Sequence, residues 1–243
     1  MAATGIDPAS KPRRSYVYRT LQSLGAEFQP WRDGAMAMRL GASVEVETAA
    51  GRQLAIADLS PLPRTGFKGA GAVEWLVEQG LAIGAGSNMA YRQPDGSLAA
   101  RLAPTEIFLI DGLAGEGKLV DRLNAAWGWG AEKPRRPVGY PMPRSESHGW
   151  FMITGEHAPA MFTKVCGVDL RPHKFEQGRI AQTSVAKTGA IVIRDYLGEL
   201  PAYHLLADSA SAEYMWMCVV DAMDEFAGRP IGWAALKRLA GLG

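Results

Sequence analysis

Cysteine is nearly missing from this chain of 243 residues. Only Cys166 and Cys218 occur, each within a helical pattern and neither beside a second thiol or imidazole at metal-ligand spacing. A disulfide framework and a zinc centre are therefore not indicated, and both residues are read as core thiols. Neither sign of charge is in excess: 26 basic against 25 acidic residues leave a formal charge of +1, so long-range attraction to nucleic acid or to an acidic membrane is not expected. No apolar run approaches the roughly 20 residues that cross a bilayer, and Met1 to Ser15 lacks the apolar stretch of a secretory signal. The expected compartment is the cytoplasm. Phosphate-binding loops are missing as well, because the Gly-rich segments Gly84-Ala-Gly86 and Gly112 to Gly117 match neither a P-loop nor the GxGxxG turn. The four histidines, His148, His157, His173 and His204, have no nucleophile at motif spacing and are read as satisfied surface or core side chains. Asp221, Asp224 and Glu225 lie along one helix face and are read as solvated rather than as a metal cluster.

What is present is apolar residue in quantity, 47% of the chain, enough for a sizeable core. Its arrangement repeats. Phe67-Lys-Gly-Ala-Gly-Ala-Val-Glu-Trp-Leu76 is an apolar lead, a Gly turn and a helix start, and Ile153-Thr-Gly-Glu-His-Ala-Pro-Ala-Met-Phe162 has the same design. Glu106 to Ile110 then leads into a helix ending at Trp127-Gly128, as Tyr203 to Ala207 leads into one ending at Phe226-Ala227-Gly228. Matched elements in matched order predict an α+β fold of two duplicated α/β halves around a central cleft, where a small-molecule site is expected.

Residues 1–14 are small, polar and Pro-containing and are expected to form a flexible arm. One domain is expected over 15–243, with halves at about 15–128 and 148–243. A first helix should run from Tyr16 to a stop at Gly25. Val44 to Thr48 alternates apolar and acidic residues, Ala49-Ala-Gly51 reads as a turn, and Gln53 to Asp58 as a second strand, together a hairpin. Helices are expected over Gly71 to Leu81 and Lys118 to Trp127, and strands at Leu98 to Leu102 and Ile107 to Ile110. Gly128 to Ser147 holds Pro134, Pro137, Pro141 and Pro143 and reads as a connector. Its Lys133, Arg135, Arg136 and Arg144 offer grip for a carboxylate or an acidic partner surface. Beyond it, a helix should carry Met161, Val165 and Cys166, and paired strands should turn at Thr188-Gly189. A helix capped by Asp208 or Ser209 should follow the strand Tyr203 to Ala207. That helix should place Tyr214, Val219 and Met223 near one side, thickened by Met215, Trp216 and Met217 into a broad apolar surface that serves as core or as partner contact.

Val165-Cys-Gly-Val-Asp-Leu-Arg-Pro-His-Lys-Phe-Glu-Gln-Gly-Arg-Ile-Ala-Gln-Thr-Ser-Val-Ala-Lys187, with Tyr203 to Ser209 and Val220 to Phe226, resembles the gamma subunit of heterotetrameric sarcosine oxidase. Asp58-Leu-Ser60 and Pro230 to Gly241 are similar to segments of the wider superfamily of the glycine-cleavage T protein, a folate-dependent aminomethyltransferase. The resemblance implies a folate-binding-domain-like fold without the C-terminal barrel of the larger enzymes.

Departures from the superfamily pattern bear on function. Ala99 and Ala100 stand where its acidic pair is expected, Lys187-Thr-Gly189 continues into Ala190-Ile-Val-Ile193 without the pterin-binding Glu, and Ala240 replaces the acid of its closing helix. A C1 transferase needs carboxylates to hold the pterin and manage charge at its reactive nitrogen. The implied role is a non-catalytic, gamma-type accessory subunit of a flavin-dependent sarcosine or N-methyl amine oxidoreductase linked to folate C1 metabolism. Its partners would be large flavoprotein subunits, with FAD or FMN only in those partners and no cofactor held tightly here. The alternative is a stand-alone tetrahydrofolate-binding, aminomethyltransferase-like protein using Tyr91, Arg101, Lys187, Arg194 or Arg238 in the cleft. No catalytic residue and no metal ligand is assigned in either case.

Overall fold

A computed structural model describes residues 5–128 and 139–242. Its contacts divide the chain into two units. The first holds the residues up to Pro61, His148–Gln177 and those from Thr183 onward, and the second holds Leu62–Ser147 and Gly178–Gln182.

The first unit opens with backbone bonds in the segment expected to be a flexible arm: Ile6 N–H donates to Phe28 O and Arg13 N–H to Asp33 O. Helix α1 (Tyr18–Ser23) leads into an antiparallel hairpin of β1 (Ala26–Trp31) and β2 (Gly34–Leu40). The predicted hairpin over Val44 to Asp58 is instead a helix, α2 (Val44–Gln53), followed by β3 (Ala55–Asp58). Ser43 caps α2 by accepting from Val46 N–H, and the buried side of the helix is small and polar. Glu47, 1% exposed, accepts from Leu40 N–H at 2.5 Å and from Gly232 N–H at 2.7 Å. Gly51 is no turn: it leaves room for Leu239, whose Cδ1 lies 2.5 Å from where a Cβ would stand.

The second unit contains β4 (Arg64–Lys68), α3 (Ala72–Glu78), β5 (Met89–Arg92), β6 (Leu98–Ala103), β7 (Glu106–Ile110) and α4 (Lys118–Trp127). The last of these matches the predicted span. Its sheet runs β5-β6-β7-β4 and closes with β8 (Tyr140–Pro141), a two-residue edge strand on β4 within the expected connector. Lys133, Arg135 and Arg136 of that connector lie outside the described residues. Phe67, Trp75 and Trp127 form the aromatic centre of this core, with Trp75 and Trp127 edge to face at 4.6 Å.

The first unit resumes with β9 (His148–Thr154) and α5 (Ala158–Val165). Strands β10 (Ile180–Val185), whose first residues count with the second unit, β11 (Thr188–Leu197) and β12 (Leu200–Asp208) follow, then α6 (Ala212–Met223), β13 (Arg229–Pro230) and α7 (Trp233–Leu239). Its sheet order is β10-β11-β12-β9-β3-β13. The β10–β11 turn sits at Ala186-Lys187, both in left-handed backbone at φ 48° and 63°, not at Thr188-Gly189, which is already strand. On α6 the residues Met215, Trp216, Val219 and Met223 are buried, whereas Tyr214 and Met217, expected to contribute to one broad apolar surface with them, face solvent.

Both sheets share a connectivity: strand, helix, three strands, helix, with the first strand paired to the fourth. Register agrees too. Phe67 pairs with Ile107, which pairs with Arg101; Ile153 pairs with Tyr203, which pairs with Arg194. The turns match as well, Gly69 N–H donating to Thr105 O and Gly155 N–H to Pro201 O. Arg101 and Arg194 therefore occupy the same position in their respective sheets.

Candidate functional site

Four buried polar residues of the first unit, Thr154, Arg194, Asp195 and His204, lie on the strands β9, β11 and β12. Side chains alternate along a strand, so Arg194 and Asp195 point to opposite faces. On one face Trp150 Nε1–H donates to His204 Nδ1 at 3.0 Å, and His204 Nε2 lies 3.1 Å from Asp195 Oδ2. Indole nitrogen only donates, so His204 Nδ1 must accept and the ring proton sits on Nε2, directed at the carboxylate. All three residues are at most 5% exposed. Ser60 Oγ accepts from the Trp150 backbone N–H, and Asp58 Oδ1 accepts from Ser60 N–H. The Asp58-Leu-Ser60 segment thus anchors the β9 end of this network.

On the other face Arg194, 1% exposed, stands over two aromatic rings. Its guanidinium carbon is 4.3 Å from the Tyr196 ring centre and 4.7 Å from that of Tyr203, a cation–π geometry. Nη1 donates to Asp195 O at 3.2 Å and Ala202 O at 3.5 Å, while Nε and Nη2 have no partner. Tyr203 O–H donates to Leu170 O at 2.7 Å, and burial pushes this phenol up to about 12 against the opposing pull of the Arg194 charge. The resemblance stretch supplies that contact: beside Leu170, Arg171 holds Asp169 by two guanidinium bonds of 2.6 and 2.8 Å, which lowers the Asp169 carboxyl well below its usual range.

The remaining sequence-predicted ligands fall in both units. Tyr91 and Arg101 share one task in the second unit: Tyr91 O–H donates to Gly86 O and Arg101 Nη1 to Gly84 O, pinning the Gly84-Ala-Gly86 loop. Arg101 Nη2 reaches Pro104 O, and its Nε is buried without a partner. In the first unit Arg238 on α7 pairs with Glu45 at 2.7 Å on the surface. Lys187 is exposed at the rim of an open pocket of about 350 Å³, with Lys164, Tyr214, Cys218 and Asp221. A hydrogen bond with Cys218 raises the Tyr214 hydroxyl there. Arg144 pairs with Glu106 at 2.6 Å and covers Phe108. Among the described residues no group of three His, Cys, Asp or Glu side chains is placed to hold a metal, and no helix is long and apolar enough to cross a membrane.

The three positions at which the resemblance leads one to expect acids differ in setting. Ala99 and Ala100 are wholly buried in β6, opposite Leu109 and Phe108. Ala190 to Ile193 run inside β11, and Ala240 ends α7. Sequence reading missed the pairing of Asp195 with His204. Its signal is the diagonal placement of two polar residues on adjacent strands of an otherwise apolar sheet, and that needs the register.

Neither a family model nor a curated protein sequence matches this chain. Solved structures do. A chain of the heterotetrameric sarcosine oxidase from Corynebacterium sp. U-96, solved in complex with pyrrole 2-carboxylate, superposes with a TM-score of 0.64 and 19% identity. That match covers 89% of this chain and 97% of the other. The glycine cleavage system aminomethyltransferase T from Bartonella henselae superposes with a TM-score of 0.69 and 15% identity, over 93% of this chain and 61% of that one. This chain has the mixed helix-and-sheet fold that those two structures share.

Proposed function

We propose that the chain is a non-catalytic, gamma-type accessory subunit of a flavin-dependent oxidoreductase acting on sarcosine or a related N-methyl amine. It would dock onto large subunits that carry the flavin and folate sites. The observation that carries this reading is the structural likeness to a chain of a heterotetrameric sarcosine oxidase, which takes in 97% of that chain. Its support comes from β6, where Ala99 and Ala100 are packed against the sheet and offer no carboxylate for a pterin. The shared connectivity and register of the two sheets support reading them as copies of one module, with Arg101 and Arg194 as counterparts. In this reading the arginines organise their own sheets, and one-carbon chemistry belongs to a partner.

The test is activity and colour of the isolated chain. The purified protein should show no flavin absorbance and no one-carbon transfer to or from tetrahydrofolate. Measurable transfer, lost on substitution of Arg101 or Arg194, would contradict the accessory role and favour a folate-dependent transferase.

A further inference from the structure

Arg194 is satisfied on every side except one edge. Its guanidinium carbon stands over the rings of Tyr196 and Tyr203 and two carbonyls take Nη1, leaving Nε and Nη2 without acceptors although the residue is 1% exposed. Leaving such donors bare in a protein interior is costly. The chain shows the contrast in Arg64, equally buried, where Nε donates to Arg144 O, Nη1 to Leu62 O and Nη2 to Ser145 O. Internal carboxylates near Arg194 are committed elsewhere. Asp195 points to the other face and meets His204, and Asp169 is held by Arg171.

The two bare donors lie on the same edge of the guanidinium. Their N–H bonds run parallel, the geometry that takes a planar two-oxygen anion with both oxygens at once. We propose that this edge is a binding site for a small carboxylate, held in the plane of the guanidinium that Tyr196 and Tyr203 support. Of the two rings Tyr203 is buried and Tyr196 is partly exposed, so the anion would enter past Tyr196. This site does not depend on the accessory role, and either can fail without the other.

Acetate is the probe. In the intact, nitrogen-labelled chain the Arg194 Nε–H resonance, assigned by its loss in Arg194→Lys, is followed during titration with sodium acetate and, at matched ionic strength, with sodium chloride. A saturable shift with acetate alone, with a dissociation constant on the order of 1 mM or tighter, is expected. Tyr196→Ala keeps the arginine, removes one ring and should change the acetate affinity by about tenfold, roughly the worth of one desolvated cation–π or stacking contact. The assignment survives a poorly folding Arg194→Lys protein, because Tyr196→Ala moves the same resonance. The proposal is overturned if acetate produces no shift or if chloride reproduces it. It is equally overturned if Asp169→Asn moves the resonance with no acetate present, since the edge would then be filled from within the chain.

Discussion

The Trp150 side chain has a single polar hydrogen, and its bond to His204 Nδ1 decides which nitrogen of that imidazole carries the proton and which way the ring faces. The network is closed by Asp195 on one side and by Ser60 on the main chain of Trp150 on the other. Such a chain of bonds orients its members. Tyr203 gives the residue scale its pH signature. Its phenol is raised from 10 to about 12, first by burial and then by the Tyr196 and Asp169 charges, against the Arg194 charge. A group raised in the folded state stabilises that state fully below its unfolded value and loses the contribution as pH climbs to the folded one. Stability should therefore fall between about pH 10 and 12, by on the order of 2 to 3 kcal/mol from this group. Absorbance titration of the phenols alongside circular dichroism checks it: one tyrosine of the seven should ionise only with unfolding, and Tyr203→Phe should remove the late step. Early ionisation of all seven would contradict the placement of Tyr203.

At the scale of elements, the close approach of β9 to the α2–β3 junction rests on Gly155. Its φ is +117°, and an added Cβ would stand 2.4 Å from Gln53 O and 2.8 Å from Leu54 N. Those are backbone atoms that have no rotamer to yield, so Gly155→Ala should destabilise the chain by roughly 3 kcal/mol or more. Gly189→Ala, in open space on β11, should change stability by less than about 0.5 kcal/mol. Urea unfolding of the two variants measures the difference, and equal midpoints would contradict the packing described. The same element shows why part of the fold was legible and part was not. Strands β6, β7 and β12 and helix α4 are apolar in the period of their own backbone, so sequence reading found them. Helix α2 was misread because Val44-Glu-Val-Glu47 alternates with period two, while what α2 buries is a carboxylate, a hydroxyl and a glycine. Hydrophobicity carries no signal for that. The β1–β2 hairpin went unread for a related reason: it places Pro30 in a strand and turns through Arg32 at φ 51°. In the candidate site, Arg194 was legible as a residue type on a strand. Its place over the rings of Tyr196 and Tyr203 and the burial of Asp195 with His204 come from pairing register, which composition does not encode.

For the whole molecule, two sheets share one connectivity, and each carries an arginine at the same position of its paired strands. What remains outward includes Tyr140, Tyr214 and Met217, each at least half exposed. Large exposed aromatic and Met side chains suit a partner surface, where such residues concentrate binding energy. The accessory reading makes a demand that a self-sufficient enzyme does not. The measurement that tests it most directly is co-expression of the full chain with the large flavoprotein subunit encoded nearest to it, followed by gel filtration monitored for both protein and flavin absorbance. The account predicts a single hetero-oligomeric peak carrying flavin and this chain in fixed ratio, stable to dilution. Elution of this chain by itself, apart from every such flavoprotein, would contradict it.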